Sequence, residues 1–565
     1  MFSCLRILEP WSLRFMTTKL SRLEWTPVFL FLLFSPSLPA LAASADPAAP
    51  PAAVIGQATA KPAVPKITLG EAVMKTLKAN PGISVQQERV VQGEGLLQNA
   101  SGQFDWTGLA SASAGSTKLP LDDNDLQTWE AAKAVNQAAG RPAPADYTRD
   151  DVRTFSLGAQ KQFRTGVTVA PTLSTQDVDN NYDTWRAQNR SDVRIELTVP
   201  LLRGLGASYT GANELATSSQ LVATRYLSKH NIARTIFETA SNYWNCLASR
   251  LSFELTTDTQ ARSDQLLTLV ERLVRAGSLE PAVLNQAKAK LYSNKVDVQD
   301  GEVSLYRSRQ ALALSMGYKP QELPAAPDPG GEFPAVASST LLEKANAEDY
   351  IRLALRQRGD LLAAKTDSAT ASILLAKAQN DTKPKLDLGL MAGYAGFDES
   401  RSDERYFRSL SSRTSGPNAF ASLSLELPIA NNAAKGNVVY RKSLLKETEL
   451  TLAGIENQIA SQVLIAYTAL RTAISEYALA QLSEDAYKNA VEFENRKYRA
   501  GTSTLTALID IEDRYFKARV AKIEVLRKYS VALAEFRFVT GTLLNAQEGD
   551  LRFGMERLVE FPPLN

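Results

Sequence analysis

The chain contains the same pattern twice, and this duplication constrains the fold more than any other feature. Each copy has an alternating apolar strand, a long helical pattern, a glycine turn and a helical return. A strand-end proline precedes the turn glycine by about 77 residues in the first copy and about 73 in the second, and a further glycine follows about 40 residues later in both. A repeat of this length indicates one architectural unit per copy. These residues are Pro200, Gly277 and Gly317 in the first copy, and Pro428, Gly501 and Gly541 in the second.

The N-terminus has the pattern of a secretory signal peptide. Basic residues precede an apolar run over 28–34, and Ala40 and Ala42 supply the small side chains that a signal peptidase accepts. The apolar run is shorter than the roughly 20 residues that a transmembrane helix needs. We predict that residues 1–42 are a signal peptide, with Met16 as an alternative start, and that the chain is exported. The alternative is a retained membrane anchor.

Charge and composition disfavour several functions. The chain has 63 Lys and Arg against 61 Asp and Glu, so it lacks the concentrated basic field that nucleic acid requires. Cys4 lies in the predicted signal peptide, so Cys246 has no disulfide partner in the exported chain. We predict that Cys246 is a small buried residue of a helix. His230 is the only histidine and is predicted to be a solvated helix residue. Metal-binding, thiol and phosphate-loop motifs are absent from the sequence. We therefore predict no catalytic residue, cofactor or metal.

Two sequence periods alternate along each copy. Every second residue is apolar in the strand segments, which predicts strands with two different faces. The first copy has a hairpin that the second lacks, turning at Arg164, Thr165 and Gly166. It also carries a polar insert over 119–151. The predicted strands cover 106–114, 155–163, 166–173 and 193–201 in the first copy, and 385–394 and 421–429 in the second.

Long helical patterns follow the last strand of each copy. Val438, Leu445, Leu452 and Ile459 recur every seven residues, which is typical of a coiled-coil seam. At 1.5 Å per residue, the roughly 65 residues before Gly501 predict a helix near 100 Å long. Two short helices precede the strands of each copy, at 69–79 and up to Phe104, then at 347–357 and 361–382.

Changes of composition divide the chain into segments. Alanine- and proline-rich stretches are predicted to be linkers, because they contain too few large apolar residues to pack. The predicted segments are the signal peptide 1–42, a linker 43–66, the first repeat 67–317, a proline-rich linker 318–344, the second repeat 345–544 and a C-terminal tail 545–565.

An exported chain with amphipathic strands of about ten residues poses a physical problem. In lipid every backbone polar group must be paired, so strands cross a membrane only as a closed barrel. Four to six strands are fewer than the eight of the smallest single-chain barrels. A barrel built from these strands must therefore be shared between subunits.

The order of these elements, present twice, resembles the TolC-like outer-membrane efflux protein family. The resemblance covers about 67–544 and includes the motif Leu77-x-x-Asn80-Pro81 with its counterpart Leu355-x-x-Arg358-Gly359-Asp360, the strand exits at Pro200 and Pro428, and the glycine tips. It implies a mainly α fold with β strands, in two pseudo-repeats of long antiparallel coiled-coil helices and short amphipathic strands. It further implies a homotrimer with a shared twelve-stranded barrel in outer-membrane lipid above a periplasmic helical tunnel. Whether the extra hairpin joins the barrel or forms an extracellular extension stays open.

The resemblance also implies two functional regions. The tips are expected to dock onto a periplasmic adaptor (membrane fusion protein) of an inner-membrane transporter. Acidic residues six and nine positions after the second tip are expected to narrow the pore, but the first position is Ala507, so the candidates are Asp510, Glu512 and Asp513. The alternative for these three is a solvated helix face beside Arg514 and Lys517. The tip candidates are Arg275, Ala276, Gly277, Ser278, Arg499, Ala500, Gly501, Thr502 and Ser503.

The function that the resemblance implies is that of an outer-membrane channel in a tripartite efflux or type I secretion system of a Gram-negative-type bacterium, without enzymatic activity. The alternative from another class is a periplasmic coiled-coil adaptor or structural tether that forms no pore. Duplicated hairpins and amphipathic strands favour the channel, and an exported enzyme is a distant third interpretation.

Overall fold

The computed structural model of the protein describes residues 65–181, 188–337, 346–399, 408–544, 554 and 556–562. The predicted signal peptide and nearly all of the first predicted linker lie outside the described residues. Parts of the second linker and of the C-terminal tail do so as well.

Each repeat contains short helices, strands and a long helical hairpin. The first repeat comprises β1 (Lys66–Ile67), α1 (Leu69–Ala79), α2 (Pro81–Ser101), β2 (Thr107–Pro120), α3 (Asp123–Ala138), β3 (Tyr147–Gln162), β4 (Thr168–Asn180), β5 (Gln188–Pro200), α4 (Ala207–Thr210), α5 (Ala212–Arg275) and α6 (Pro281–Ser315). After β6 (Asp328–Pro329), the second comprises α7 (Ala347–Gln357), α8 (Gly359–Asp381), β7 (Lys385–Asp398), β8 (Gly416–Glu426), α9 (Asn432–Arg499) and α10 (Leu505–Val539). The C-terminal tail contains α11 (Glu556–Val559).

The break between the short helices is built differently in the two repeats. Asn80 ends α1 and caps α2, because its side-chain oxygen accepts from the backbone N–H of Gly82 at 2.7 Å. In the second repeat Arg358 holds the same place, and its guanidinium donates to Asp360 at 3.0 and 2.7 Å and to Gln462 at 2.6 Å. Gly317 and Gly541, which end the return helices with φ near +75°, pack directly against these two breaks.

The six long strands form one antiparallel sheet in the order β2-β3-β4-β5-β7-β8. The predicted hairpin is confirmed as β3 and β4, and the pairing of β5 with β7 joins the two repeats. The predicted numbers of strands, four in the first repeat and two in the second, are also confirmed. The predicted polar insert contains helix α3 and the ends of β2 and β3. Three copies would supply twelve strands only with four strands each, whereas the described sheet contains six strands from one chain.

The long helices α5 and α9 are continuous over 64 and 68 residues, which corresponds to about 100 Å each. Each packs antiparallel against its shorter return helix, α6 or α10. Of the predicted seam residues, Ile459 is buried, whereas Val438, Leu445 and Leu452 are half-buried. The buried row continues along the middle of α9 at Val463, Leu470 and Ile474, so the seam is confirmed from Ile459 onward.

Two hydrophobic clusters lie where the short helices pack against the long ones. The first surrounds Tyr243 and Leu247 of α5, and the second surrounds Tyr350 and Phe536. The C-terminal segment packs against both, with Leu558 in the first cluster and Phe561 against the second. Among the described helices, none combines the length and apolar character that crossing a membrane requires.

The predictions for Cys246 and His230 have different outcomes. Cys246 is fully buried in α5, as predicted, and burial raises the pKa of its thiol to about 11. The prediction of a solvated His230 is wrong, because only 15% of its side chain is exposed. Its ring lies 5.2 Å from that of Phe538, and its Nδ1 lies 3.7 Å from Asp360 of the second repeat. A helical pattern could not reveal this contact, since it joins residues 130 positions apart.

Candidate functional site

The sheet has one apolar and one polar face. On β7 and β8, Leu388 lies opposite Leu423 on one face, and Gly389 lies opposite Ser422 on the other. Leu390 continues the apolar face to Leu197 of β5. Side chains alternate between faces along a strand, so this register places every second residue of the three strands in one apolar band.

The apolar band extends through the extra hairpin. Leu197 pairs with Val169 of β4, and Leu173 of β4 pairs with Leu157 of β3. Leu157 in turn pairs with Ala110 of β2. Large members of this band have no cover within the described chain, and Leu157 and Leu423 are 62% and 64% exposed. An exposed apolar band across six strands indicates a surface that another phase or partner covers.

The opposite face is polar and concave. It borders a cavity of about 360 Å³, and the lining side chains come from five strands, so the sheet curves toward its polar side. Arg194 forms ion pairs there with Asp192 at 3.2 Å and with Glu196 at 3.0 Å. The lining residues are Thr154, Ser174, Gln176, Arg190, Asp192, Arg194, Met391 and Asn418.

Both edges of the sheet lack a neighbouring strand within the described residues. Strand β2 pairs only with β3, and β8 pairs only with β7. All of β2 is exposed, and so is all of β8 except Gly416. Such edges present rows of backbone donors and acceptors to a further strand.

The long helices start directly below the sheet. Leu201 N–H still donates to Leu386 O at 2.7 Å after β5 has ended, and Arg203 pairs with Glu426 of β8 at 3.1 Å. Asn431 adopts the left-handed conformation (φ +50°) before α9, and its side-chain amide donates to Thr382 O at 2.9 Å. These contacts fix the direction in which the helices leave the strands.

The two glycine tips have the same backbone structure. Gly277 and Gly501 both have φ +72°, and each N–H donates at 3.0 Å to the carbonyl three residues earlier. The next residues, Ser278 and Thr502, donate to the carbonyl five residues earlier. Apart from the half-buried Ser503, every residue predicted to dock an adaptor is exposed.

The structure brings the two tips together. Val270 and Ala287 of the first hairpin share a small buried cluster with Leu505 of the second. Thr506 Oγ1 donates to Gln286 Oε1 at 3.0 Å across the same contact. The predicted docking residues of both repeats therefore lie at one end of the molecule.

The three acidic candidates have different surroundings. Asp510 is exposed and pairs with Arg514 one turn later at 3.0 Å. Asp513 forms an ion pair with Lys290 of α6. Glu512 is exposed, but it borders a cavity between α5, α6 and α10. Partial loss of water there raises the pKa of its carboxyl, against the opposing effect of Arg262 and Lys290. Asp510 is thus paired along its own helix, whereas Asp513 is paired across to the first repeat.

Sequence analysis missed the partners from the first repeat. Lys290 and Gln286 carry no local signal, because their roles depend on how the two hairpins are aligned. In the parts of the chain that the structure describes, no group of three or more His, Cys, Asp or Glu residues is placed to hold a metal ion.

Comparisons with known proteins agree with this architecture. Residues 350–542 match the family model described as outer membrane efflux protein. The CmeC outer membrane channel of Campylobacter jejuni is 16% identical, with 85% of this chain and 87% of that chain covered and a TM-score of 0.58. The outer membrane protein VceC of Vibrio cholerae is 16% identical, with 84% and 96% covered and a TM-score of 0.58.

A third similar structure is the open state of the MtrE outer membrane channel of Neisseria gonorrhoeae. It is 14% identical, with 86% of this chain and 93% of that chain covered and a TM-score of 0.55. No curated protein matches the sequence. At these identities the likeness to solved structures concerns the fold. The resemblance to the TolC-like outer-membrane efflux proteins is therefore confirmed, by the family model over residues 350–542 and by the fold over most of the chain.

Proposed function

We propose that the protein is the outer-membrane channel of a tripartite efflux or type I secretion system. The observation that carries this proposal is the curved six-stranded sheet, with an exposed apolar band outside and a polar concave face inside. Lipid would cover the apolar band, and substrate and water would pass along the polar face. The long helices extend this wall into the periplasm, and the chain contributes no covalent chemistry to transport.

The working form that we propose is a homotrimer. The open sheet edges are one reason for this proposal. In addition, α6 exposes an apolar row at Tyr292, Val296, Val303 and Tyr306. Its spacing of four, seven and three residues is that of a coiled-coil seam. Ile465, Leu479 and Leu482 form an exposed apolar row on α9. Because contiguous exposed apolar rows mark interaction sites, contact between the helices of neighbouring copies is the simplest cover for both.

The adaptor-docking role of the tips is part of the same proposal. The two tips form one exposed end, farthest from the sheet, which is the only place where an inner-membrane assembly would meet the described helices end-on. The partner would be a periplasmic adaptor that works with an inner-membrane transporter, and the pump would set the choice of substrate.

We further propose that the acidic residues after the second tip control the entrance. The proposed constriction comprises Asp510, Glu512 and Asp513, but the three would act differently. Asp510 is exposed to solvent and would favour cations at the entrance. Asp513 would hold α10 against the first repeat through Lys290. Glu512 borders the cavity beside Lys290 and Asp513, and its carboxyl would sense both charges.

The test of the channel is biochemical and electrical. The protein is extracted from membranes with detergent, its oligomer mass is measured by light scattering, and its conductance is recorded in a planar bilayer. We expect a trimer that forms ion-conducting channels. A water-soluble monomer without conductance would refute the channel and favour a non-pore adaptor or tether.

The entrance is tested with Asp510→Ala. We expect reduced preference for cations, with Asp297→Ala as a control, because Asp297 is an exposed carboxylate on α6 away from the tips. Unchanged selectivity in Asp510→Ala would remove Asp510 from the constriction without affecting the channel itself.

A further inference from the structure

The extra hairpin of the first repeat lies inside the sheet, not at its edge. Strand β3 pairs with β2, and β4 pairs with β5, so the hairpin separates two strands that would otherwise be neighbours. We propose that this hairpin is part of the membrane-crossing wall and that three copies close, β8 against β2, into an eighteen-stranded barrel. This inference rests on the proposed trimeric channel.

The turn of the hairpin is held at the helical end of the sheet. Thr165 O accepts from Gly206 N–H at 3.0 Å, and Arg164 donates twice to Glu214 of α5, at 2.8 and 2.7 Å. A Cβ atom on Gly166 (φ +96°) would lie 2.3 Å from Gly204 O, so this turn fits closely against the chain after β5. The hairpin therefore starts at the level where the long helices begin.

The hairpin also spans the full height of the sheet. Strands β3 and β4 have 16 and 13 residues, compared with 13, 14 and 11 for β5, β7 and β8. A barrel strand needs about 9 to 11 residues to cross the membrane. An extension standing outside the membrane would not need strands that begin at the helices and run beside β5 to its far end.

The hairpin alternates in phase with the other strands. Leu173 faces the same side as Val193, and Ser174 faces the same side as Asp192. On the next strand Leu157 and Ser156 repeat this division. A hairpin exposed to water on both faces has no physical need for an apolar row continuous with its neighbours, whereas a barrel wall requires one.

The two sheet edges are matched in direction. Strand β2 runs away from the helices and β8 runs back toward them, so β8 of one copy beside β2 of the next gives an antiparallel pair. Open edges do not persist in lipid, because each unpaired backbone group costs several kcal/mol. In a ring of copies, the backbone groups at the open edge of each β8 can pair with those of β2 in the next copy.

The strand count has a functional consequence. Barrel diameter grows roughly in proportion to strand number, so eighteen strands give an opening about one and a half times as wide as twelve. Barrels of this size leave an aqueous channel. The outer exit would be wide and lined by Arg190, Asp192 and Arg194, and the proposed narrow part would lie at the periplasmic tips.

Single cysteines placed on the two faces test the inference. Ser156→Cys and Leu157→Cys probe the hairpin, and Ser422→Cys and Leu423→Cys are matched controls on β8. The native Cys246 is fully buried, so it gives little background. Each variant is reconstituted in nanodiscs, treated with a charged, membrane-impermeant maleimide, and separately labelled with a fluorophore that brominated lipid quenches.

We expect Ser156→Cys to react about tenfold faster than Leu157→Cys, as Ser422→Cys does relative to Leu423→Cys, because lipid shields only one face of a barrel wall. Lipid quenching should occur only at positions 157 and 423. If both hairpin positions react quickly and neither is quenched while the controls behave as expected, the hairpin lies outside the barrel and this inference is wrong. If the β8 controls also fail to separate, the proposed channel itself is refuted.

Discussion

The two repeats share their long helices and tips but differ at the sheet and at the break between the short helices. The first repeat supplies four strands and the second two. The first breaks its short helices with the neutral cap Asn80, and the second does so with the charged pair Arg358 and Asp360. The tunnel-forming part of the duplicated unit thus has one fixed geometry, whereas the strands and the central joints have diverged.

The largest difference in stability between equivalent substitutions in the two repeats is expected at the glycines that end the return helices. A Cβ atom on Gly317 would lie 2.3 Å from Ala79 O, whereas one on Gly541 would meet its nearest backbone atoms at 3.1 Å. Gly317→Ala should lower the free energy of unfolding by about 3 to 5 kcal/mol, through a backbone clash in addition to left-handed strain. Gly541→Ala should cost about 1 to 3 kcal/mol. Denaturant unfolding measures both, and equal losses would contradict the comparison.

The second prediction concerns the two breaks. Arg358 is 5% exposed, and burial disfavours ionisation of Asp360, but the Arg358 hydrogen bonds and His230 outweigh this and lower the pKa of Asp360. Arg358→Ala would leave this carboxylate without its main partner and should cost about 3 kcal/mol. Asn80→Ala should cost about 1 to 2 kcal/mol, because it removes a neutral cap. A larger loss in Asn80→Ala, measured by the same unfolding experiment, would reverse this assignment.

The third prediction concerns the tips, where the repeats agree. Gly277→Ala and Gly501→Ala should each cost about 1 to 2 kcal/mol, because both glycines have φ +72° and open space around them. Gly436→Ala is the control, since Gly436 lies within α9 with no atom near its added Cβ, and it should stabilise by up to about 1 kcal/mol. Thermal unfolding of the three variants checks the order. A stabilising Gly501→Ala would show that its left-handed backbone carries no strain.

The fourth prediction tests the contact between the repeats at the tips. Lys290→Ala removes the partner of Asp513 and should cost no more than about 1 kcal/mol of stability, because the pair is partly exposed. We expect a higher single-channel conductance, since α10 loses a bond to α6. Lys295→Ala, an exposed lysine one turn or more away on α6, is the control. Equal conductance in the two variants would remove this pair from the entrance.

The smallest effect is expected from His230, which lies between the repeats. Burial lowers the pKa of His230 below its usual 6.5, and Arg358 and Arg234 add to this, while Asp360 opposes it. Below pH 6.5 the unfolded chain binds a proton at His230 more tightly than the folded chain does. Stability therefore falls as pH decreases toward the folded pKa. His230→Gln should reduce the change in melting temperature between pH 7 and pH 5 relative to the parent protein. An unchanged pH profile would show that His230 titrates normally.

Much of the fold follows from the sequence because its signals are local or periodic. The seven-residue step predicted α9, alternation predicted the strands, and glycine marked both tips. The partners of buried charges were inaccessible, since Arg358 meets Gln462 and His230 meets Asp360 only after long helices have aligned. The same limit applies to Lys290 beside Asp513. The extra hairpin was visible in the pattern, but its place inside the sheet depends on pairing between distant strands.

The joint between β5 and β7 has a consequence for the order of assembly. Val193 pairs with Tyr394, about 200 residues later in the chain, whereas each helical hairpin joins two helices that follow one another in the sequence. Contacts distant in sequence form slowly, because a long loop must close first. The helical hairpins can therefore form early, and the β5–β7 pairing that joins the two parts of the sheet forms last. A copy emerging into the periplasm would hold an unfinished sheet until its second repeat arrived, which makes this stage the most vulnerable to aggregation.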